Sequence, residues 1–271
     1  MIVGLVEGTQ GQAVLLRTAI EAEFKAAGIS TQHILSPATE TTLEGIDALL
    51  VFPNTADDCA SSYQAEWASV GKRDGVRLFV PLRYGNPMGF EKGDPPFLAA
   101  IQPLLEHCDS IGLGVCRILT GPAMDAVLPG ILRIEDGHAT VVGKGDTPIS
   151  FVHSQDVGRL VAAHFWNAKE DLSILAGAVI APTGDPTTYN GALALVAKIT
   201  NVPIDITHRP LNEVPLPDQF DFNYFLDWLM TAWETGRAHQ TCSDNAESAV
   251  TDFEYRTVEE ALRAALDQAQ L

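Results

Sequence analysis

A chain of 271 residues, 46% hydrophobic and 7% aromatic, is long enough for one large α/β domain, or for such a domain with a smaller lobe grown onto it. No apolar run approaches the roughly 20 residues of a membrane-spanning helix, and no basic stretch precedes the first apolar segment, so a signal peptide is not expected and the expected location is cytoplasmic. Thirty-five acidic against 17 basic residues give a net charge of −18, spread along the chain, which repels nucleic-acid phosphates and anionic membranes, so neither is an expected partner.

The first predicted elements are an apolar strand over residues 2–6, the turn Gly8-Thr9-Gln10-Gly11, and an amphipathic helix over residues 12–27 that Gly28 closes. Residues 30–35, 46–52 and 76–81 read as further short, buried strands, with helices over 62–70 and 97–108 between them. A strand over 112–119, another over 150–152 and a helix over 156–166 continue the alternation. That alternation predicts an α/β fold: a Rossmann-type doubly wound parallel sheet with right-handed crossovers, spanning residues 1–182. Beyond Ala181 the texture changes. A helix over 185–200, an isolated strand over 202–207 and an aromatic-rich helix over 220–236 predict a small, mostly helical C-terminal substrate-binding lobe over 183–271, with residues 120–149 contributing to the cleft. Cys59, Cys108, Cys116 and Cys242 show no paired metal-ligand spacing and are expected to be reduced and structural.

In an open parallel sheet, ligands bind beyond the carboxyl ends of the strands where the strand order reverses, and the first glycine turn lies there. Gly8, Thr9, Gln10 and Gly11 are therefore candidate cofactor-binding residues, joined by His33 and Pro53 at the ends of the next strands. Val14 stands where a dinucleotide fingerprint has its third glycine, so a ligand-free structural turn is an equal reading of the same residues. Near the end of the second strand the chain offers His33, Ser36 and Thr39, with no acid for a ribose and no arginine for a 2′-phosphate, and neither NADH nor NADPH is specified.

Residues 75–85 (GVRLFVPLRYG), 45–51 (GIDALLV) and 143–158 (GKGDTPISFVHSQDVG) resemble, in order and spacing, three segments of the NmrA-like and isoflavone-reductase-like branch of the atypical short-chain dehydrogenase/reductases. The tail from residue 222 to 264 is similar to fungal ergot-type reductases of that group. The resemblance implies a reductase that passes hydride from NADPH or NADH to an apolar secondary metabolite. It also exposes departures. Typical short-chain dehydrogenases pair a tyrosine with a lysine four residues on, whereas Tyr84 is followed by Met88. The lysine of isoflavone-reductase-like enzymes is missing from residues 96–101, and Lys92 is the nearest in the preceding loop.

Acid/base candidates are then Tyr84, Asp125 and His153, with Asp156 read as support for a helix N-terminus capped by Ser154. Arg83, Met124, Phe222, Tyr224, Phe225 and Trp228 are candidate substrate-binding residues. Two further readings stand beside the reductase: a non-redox isomerase or cyclase on the same scaffold, using no cofactor, and a regulator that binds a dinucleotide without catalysis.

Overall fold

The computed structural model describes residues 1–7, 11–35, 37–53, 61–83, 101–125, 128–211, 222–240 and 253–269. The apolar start of the chain becomes β1 (Ile2–Glu7), which pairs in parallel with β2 (Ser30–Ile34) on one side and β3 (Ala48–Phe52) on the other. Beyond β3 come β4 (Leu78–Arg83), β6 (Arg117–Leu119) and β9 (Val179–Ile180), giving the order β2-β1-β3-β4-β6-β9 with every pairing parallel. The strand expected over 112–119 is two pieces. β5 (Gly114–Val115) pairs with Leu78 and Phe79, and the buried Cys116 separates it from β6, which pairs farther along β4 and with β9.

Strand side chains alternate between two faces, and each face has its own core. Val3, Leu5, Leu50 and Phe52 pack with Leu16, Ile20 and Phe24 of α1 (Gly11–Ala26) and with Val157, Val161 and Phe165 of α5 (Ser154–Asn167). On the other face Val6, Leu49, Val51 and Phe79 pack with Trp67 and Ala68 of α2 (Ser61–Arg73) and with Leu104 and Cys108 of α3 (Ile101–Ser110). The doubly wound sheet is as expected, and all five residues of β3 are buried, which explains its unbroken apolar sequence.

A third core gathers Met124, α4 (Leu128–Ile131), β7 (His138–Val142) and β8 (Ile149–Phe151) with α6 (Tyr189–Thr200), α7 (Phe222–Glu234) and α8 (Val258–Ala269). Two expectations are corrected here. The helix expected over 185–200 begins at Tyr189, because Thr188 caps it by accepting from the Gly191 amide at 2.9 Å. Asp185–Thr187, which contains Pro186, forms β10 and pairs antiparallel with β8. The strand expected to be isolated runs over Asp205–Arg209 (β11) and pairs in parallel with β7.

The cap of α5 is also corrected. His153, extended at φ −81° and ψ 138°, is the N-cap, and its ring accepts from the Gln155 amide, leaving Ser154 as the first helical residue. Asp156, fully buried, reaches well beyond its own helix. It accepts from the Arg256 amide at 2.8 Å and is paired with the guanidinium of Arg256, so it fastens α5 to the segment leading into α8.

Candidate functional site

The strand order reverses at β1, whose two neighbours are β2 and β3, so a crevice opens beyond the carboxyl ends of β1 and β3. Gly11 opens α1 there at a φ of +50°, and a Cβ at this position would meet no atom of the described residues within 4 Å. Among the described residues, backbone at the start of α1 is thus open to close approach, and the positive end of the helix dipole lies behind it. Gly8, Thr9 and Gln10 lie outside the described residues, as does Ser36. Pro53, directly after β3, is buried.

His33 sits on β2 opposite Leu5 of β1. Its Nε2 lies 2.6 Å from Glu21 Oε1, and Arg17 Nη1 lies 3.2 Å from its Nδ1 and 3.3 Å from Glu21 Oε2. The cation and the carboxylate missing from the end of β2 are therefore both supplied by α1. A search along β2 alone overlooks them. The available signal was the i, i+4 spacing of Arg17 and Glu21 on the helix face that turns toward β2.

The chain beyond β6 carries the second part of the site. Met124 donates its amide to Val152 O at 2.9 Å, and Val152 donates to Pro122 O at 3.0 Å, so Ala123 and Val152 form a parallel bridge past the sheet's edge. Gly121 permits this approach: its φ is +64°, and a Cβ there would stand 3.1 Å from Ser150 O. The bridge delivers Asp125 to the N-terminus of α5. Asp125 Oδ1 accepts from the Ser154 amide at 3.1 Å and from Ser154 Oγ at 3.0 Å, while Oδ2 stands 3.8 Å from His153 Nδ1. That Nδ1 in turn accepts from the Gln155 amide at 3.2 Å. An accepting Nδ1 places the proton of a neutral ring on Nε2, which has no hydrogen-bond partner among the described residues. The two side chains are 19% and 21% exposed, sheltered and still reachable.

Both parts face one edge of the sheet. Gly158 of α5 lies against Ala19 of α1, and farther along both helices Phe165 lies 5.2 Å from Phe24, ring to ring. The two contacts advance together, so the helices run side by side in the same direction and their N-termini share an edge. Three strand spacings separate β1 from β6, about 14 Å at 4.8 Å per strand, a span suited to an extended dinucleotide.

The remaining sequence candidates are dispersed. Met124 and Trp228 are buried in the third core. Phe222, Tyr224 and Phe225 open α7 and Arg83 ends β4, with side chains outside the described residues, as is all of Tyr84. Asp227 pairs with Arg133 at 3.1 Å and Arg209 at 2.6 Å, a charge cluster within the third core's shell. Tyr189 is unsuited to proton transfer: burial pushes its phenol well above the ordinary range, and its hydroxyl is bound to Ile131 O. Among the described residues no group of three or more His, Cys, Asp and Glu is placed to hold a metal ion.

Solved structures share this architecture from end to end. Leucoanthocyanidin reductase from Vitis vinifera, solved as a ternary complex, superposes with a TM-score of 0.77 over 98% of this chain and 100% of its own, at 12% identity. Isoflavone reductase matches at a TM-score of 0.68, covering 97% of this chain and 99% of its own at 15% identity. The chain has the fold of these reductases. The Citrobacter sp. triphenylmethane reductase, solved in complex with NADP(H), shares it as well, at a TM-score of 0.68 and 12% identity over 98% of this chain and 100% of that one. No family model and no curated protein matches the sequence, so the likeness rests on architecture. Within this fold, the N-terminus of α1 and the His153–Asp125 pair occupy the edge where strand order places a ligand.

Proposed function

We propose that the protein is an NAD(P)H-dependent reductase of an apolar small molecule, the secondary-metabolite class that the sequence resemblance implies. The observation that carries this reading is the open, positive-φ start of α1 at the strand-order reversal, in a fold shared over nearly the whole chain with a reductase solved bound to NADP(H). The space around Gly11 suits a diphosphate lying against backbone, and Gly8, Thr9, Gln10 and Pro53 are the other residues proposed to bind the cofactor. Arg17, Glu21 and His33 stand where the adenosine half would lie; the carboxylate suits ribose hydroxyls and the guanidinium suits a 2′-phosphate. The bound cofactor supplies hydride. The chain supplies the rest: His153 and Asp125 at the N-terminus of α5, with Tyr84 as a further acid/base candidate, hold and move protons, and a lobe of residues 183–271 with residues 120–149 takes the substrate, with Arg83, Phe222, Tyr224 and Phe225 as its candidate contacts and Met124 and Trp228 packed in its core.

Isothermal titration of the purified protein with NADPH, NADP, NADH and NAD tests the reading. Micromolar binding of the reduced cofactor is expected, and Gly11→Trp should abolish it by filling the space at the start of α1. No binding at millimolar cofactor would overturn the reductase and leave the non-redox isomerase or cyclase, which the absent tyrosine–lysine pair favours.

A further inference from the structure

Resting on the reductase reading, we infer that His153 is the proton donor of this site, that Asp125 is its positioning residue, and that the substrate is a carbonyl compound, a ketone or quinone. Hydride addition to a preformed cation such as an iminium needs no proton. Hydride addition to a carbonyl leaves an oxyanion that must be protonated, and the edge beyond β6 is built around a ring that can do so. The Gln155 amide fixes Nδ1 as an acceptor, which leaves the proton of the neutral ring on Nε2, in a side chain that is 19% exposed. Asp125 is itself anchored by two donors from Ser154, and its second oxygen stands 3.8 Å from Nδ1. A small turn of the ring exchanges the Gln155 contact for an Nδ1–H bond to that oxygen, so the ring can carry a second proton beside a carboxylate. The carbonyl carbon gains the hydride and its two electrons, the π bond breaks toward oxygen, and the oxygen takes the proton from Nε2. An alcohol and a neutral imidazole result, the nicotinamide is left oxidised, and solvent returns the proton to the ring.

The decisive variant is His153→Asn, because asparagine keeps an N-cap acceptor for α5 and removes the transferable proton. With NADPH bound and phenanthrenequinone as probe, single-turnover reduction by His153→Asn should be slower than wild type by about 100-fold, with NADPH affinity and thermal midpoint unchanged. Added imidazole should restore much of the rate lost in His153→Ala, which a structural role would not allow. Asp125→Asn, whose side-chain oxygen still accepts from Ser154, should fall between wild type and His153→Asn. Nitrogen NMR of the neutral ring in the cofactor-free protein should show the proton on Nε2. A wild-type rate in His153→Asn, equal losses in both His153 variants with no imidazole rescue, a neutral ring protonated on Nδ1, or NADPH binding without quinone reduction would each overturn the inference. Absence of NADPH binding is a separate result, seen by titration, and removes the reductase reading together with what rests on it.

Discussion

Gly158 offers a sharp test of how the two halves of the site are held in register. A glycine in the middle of a helix normally costs about 1 kcal/mol relative to alanine, so Gly158→Ala in a free-standing helix would stabilise. In this fold the new Cβ would stand 2.8 Å from Ala19 O and 2.9 Å from Ala19 C, and neither is a side chain that can swing away. Restoring ordinary contact requires α1 and α5 to part by about 0.5 Å, a gap that forfeits roughly a quarter of the dispersion energy of each contact across it. The contacts at stake are those of Leu16, Ile20 and Phe24 with Val157, Val161 and Phe165. Overpacking of this kind costs about 1–3 kcal/mol, and because the obstacle is backbone the upper part of that range, about 2–3 kcal/mol, applies, which less a propensity gain of about 1 kcal/mol leaves a net loss of about 1–2 kcal/mol. Urea unfolding followed by tryptophan fluorescence should show a midpoint lower by about 0.5 M, for a slope of about 3 kcal/mol/M. A midpoint at or above that of wild type would refute the claim that this crossing is backbone-limited.

Arg17→Ala should weaken NADPH binding by about tenfold and NADH binding less, because its guanidinium lies beside the end of β2; equal changes for both would remove it from 2′-phosphate recognition. Burial pushes the thiols of Cys108 and Cys116 up to about 11 and about 12, so iodoacetamide at pH 8 should modify them only after unfolding, and prompt labelling of either in the native protein, mapped by mass spectrometry, would contradict their placement. The Arg73 guanidinium, and then the Leu43 amide, hold the Asp74 carboxyl down at about 2 from its ordinary 3.8. A depressed carboxyl contributes stability that is present above pH 3.8 and is lost as pH falls toward 2, so Asp74→Asn should flatten the stability profile across that window; parallel profiles would show that the two contacts do not act on folding.

What the sequence makes legible is local. The run Ile2–Glu7, the turn and α1 follow from hydrophobic period and a glycine stop, and the apolar β3 announces a strand buried on both faces. Asp125 and His153 stand out singly as polar residues after strand ends, yet nothing in their spacing says that they meet; the Ala123–Val152 bridge does that, and it is a tertiary contact. Ser154 looks the better helix cap by residue type. Its hydroxyl turns to Asp125 instead, and the cap passes to a histidine. Arg17 lies hidden on a helix when the expected reader is sought on a strand. Asp156 passes for a helix-end acid because its partner, Arg256, lies far along the chain.

β2 is the rim of the sheet. Among the described residues, the connection from it to β3 carries only the single 3-10 turn Ala38–Glu40, and no further strand pairs with its outer side. A dinucleotide seated across the crevice with its adenosine beside Arg17 and His33 would therefore project its base toward a margin where, among the described residues, no further strand stands. Cofactors tagged on the purine's exocyclic amine, with a dye or a resin linker, should dock nearly as well as the untagged molecule, which makes immobilised cofactor a practical handle for isolating the protein together with whatever substrate it carries.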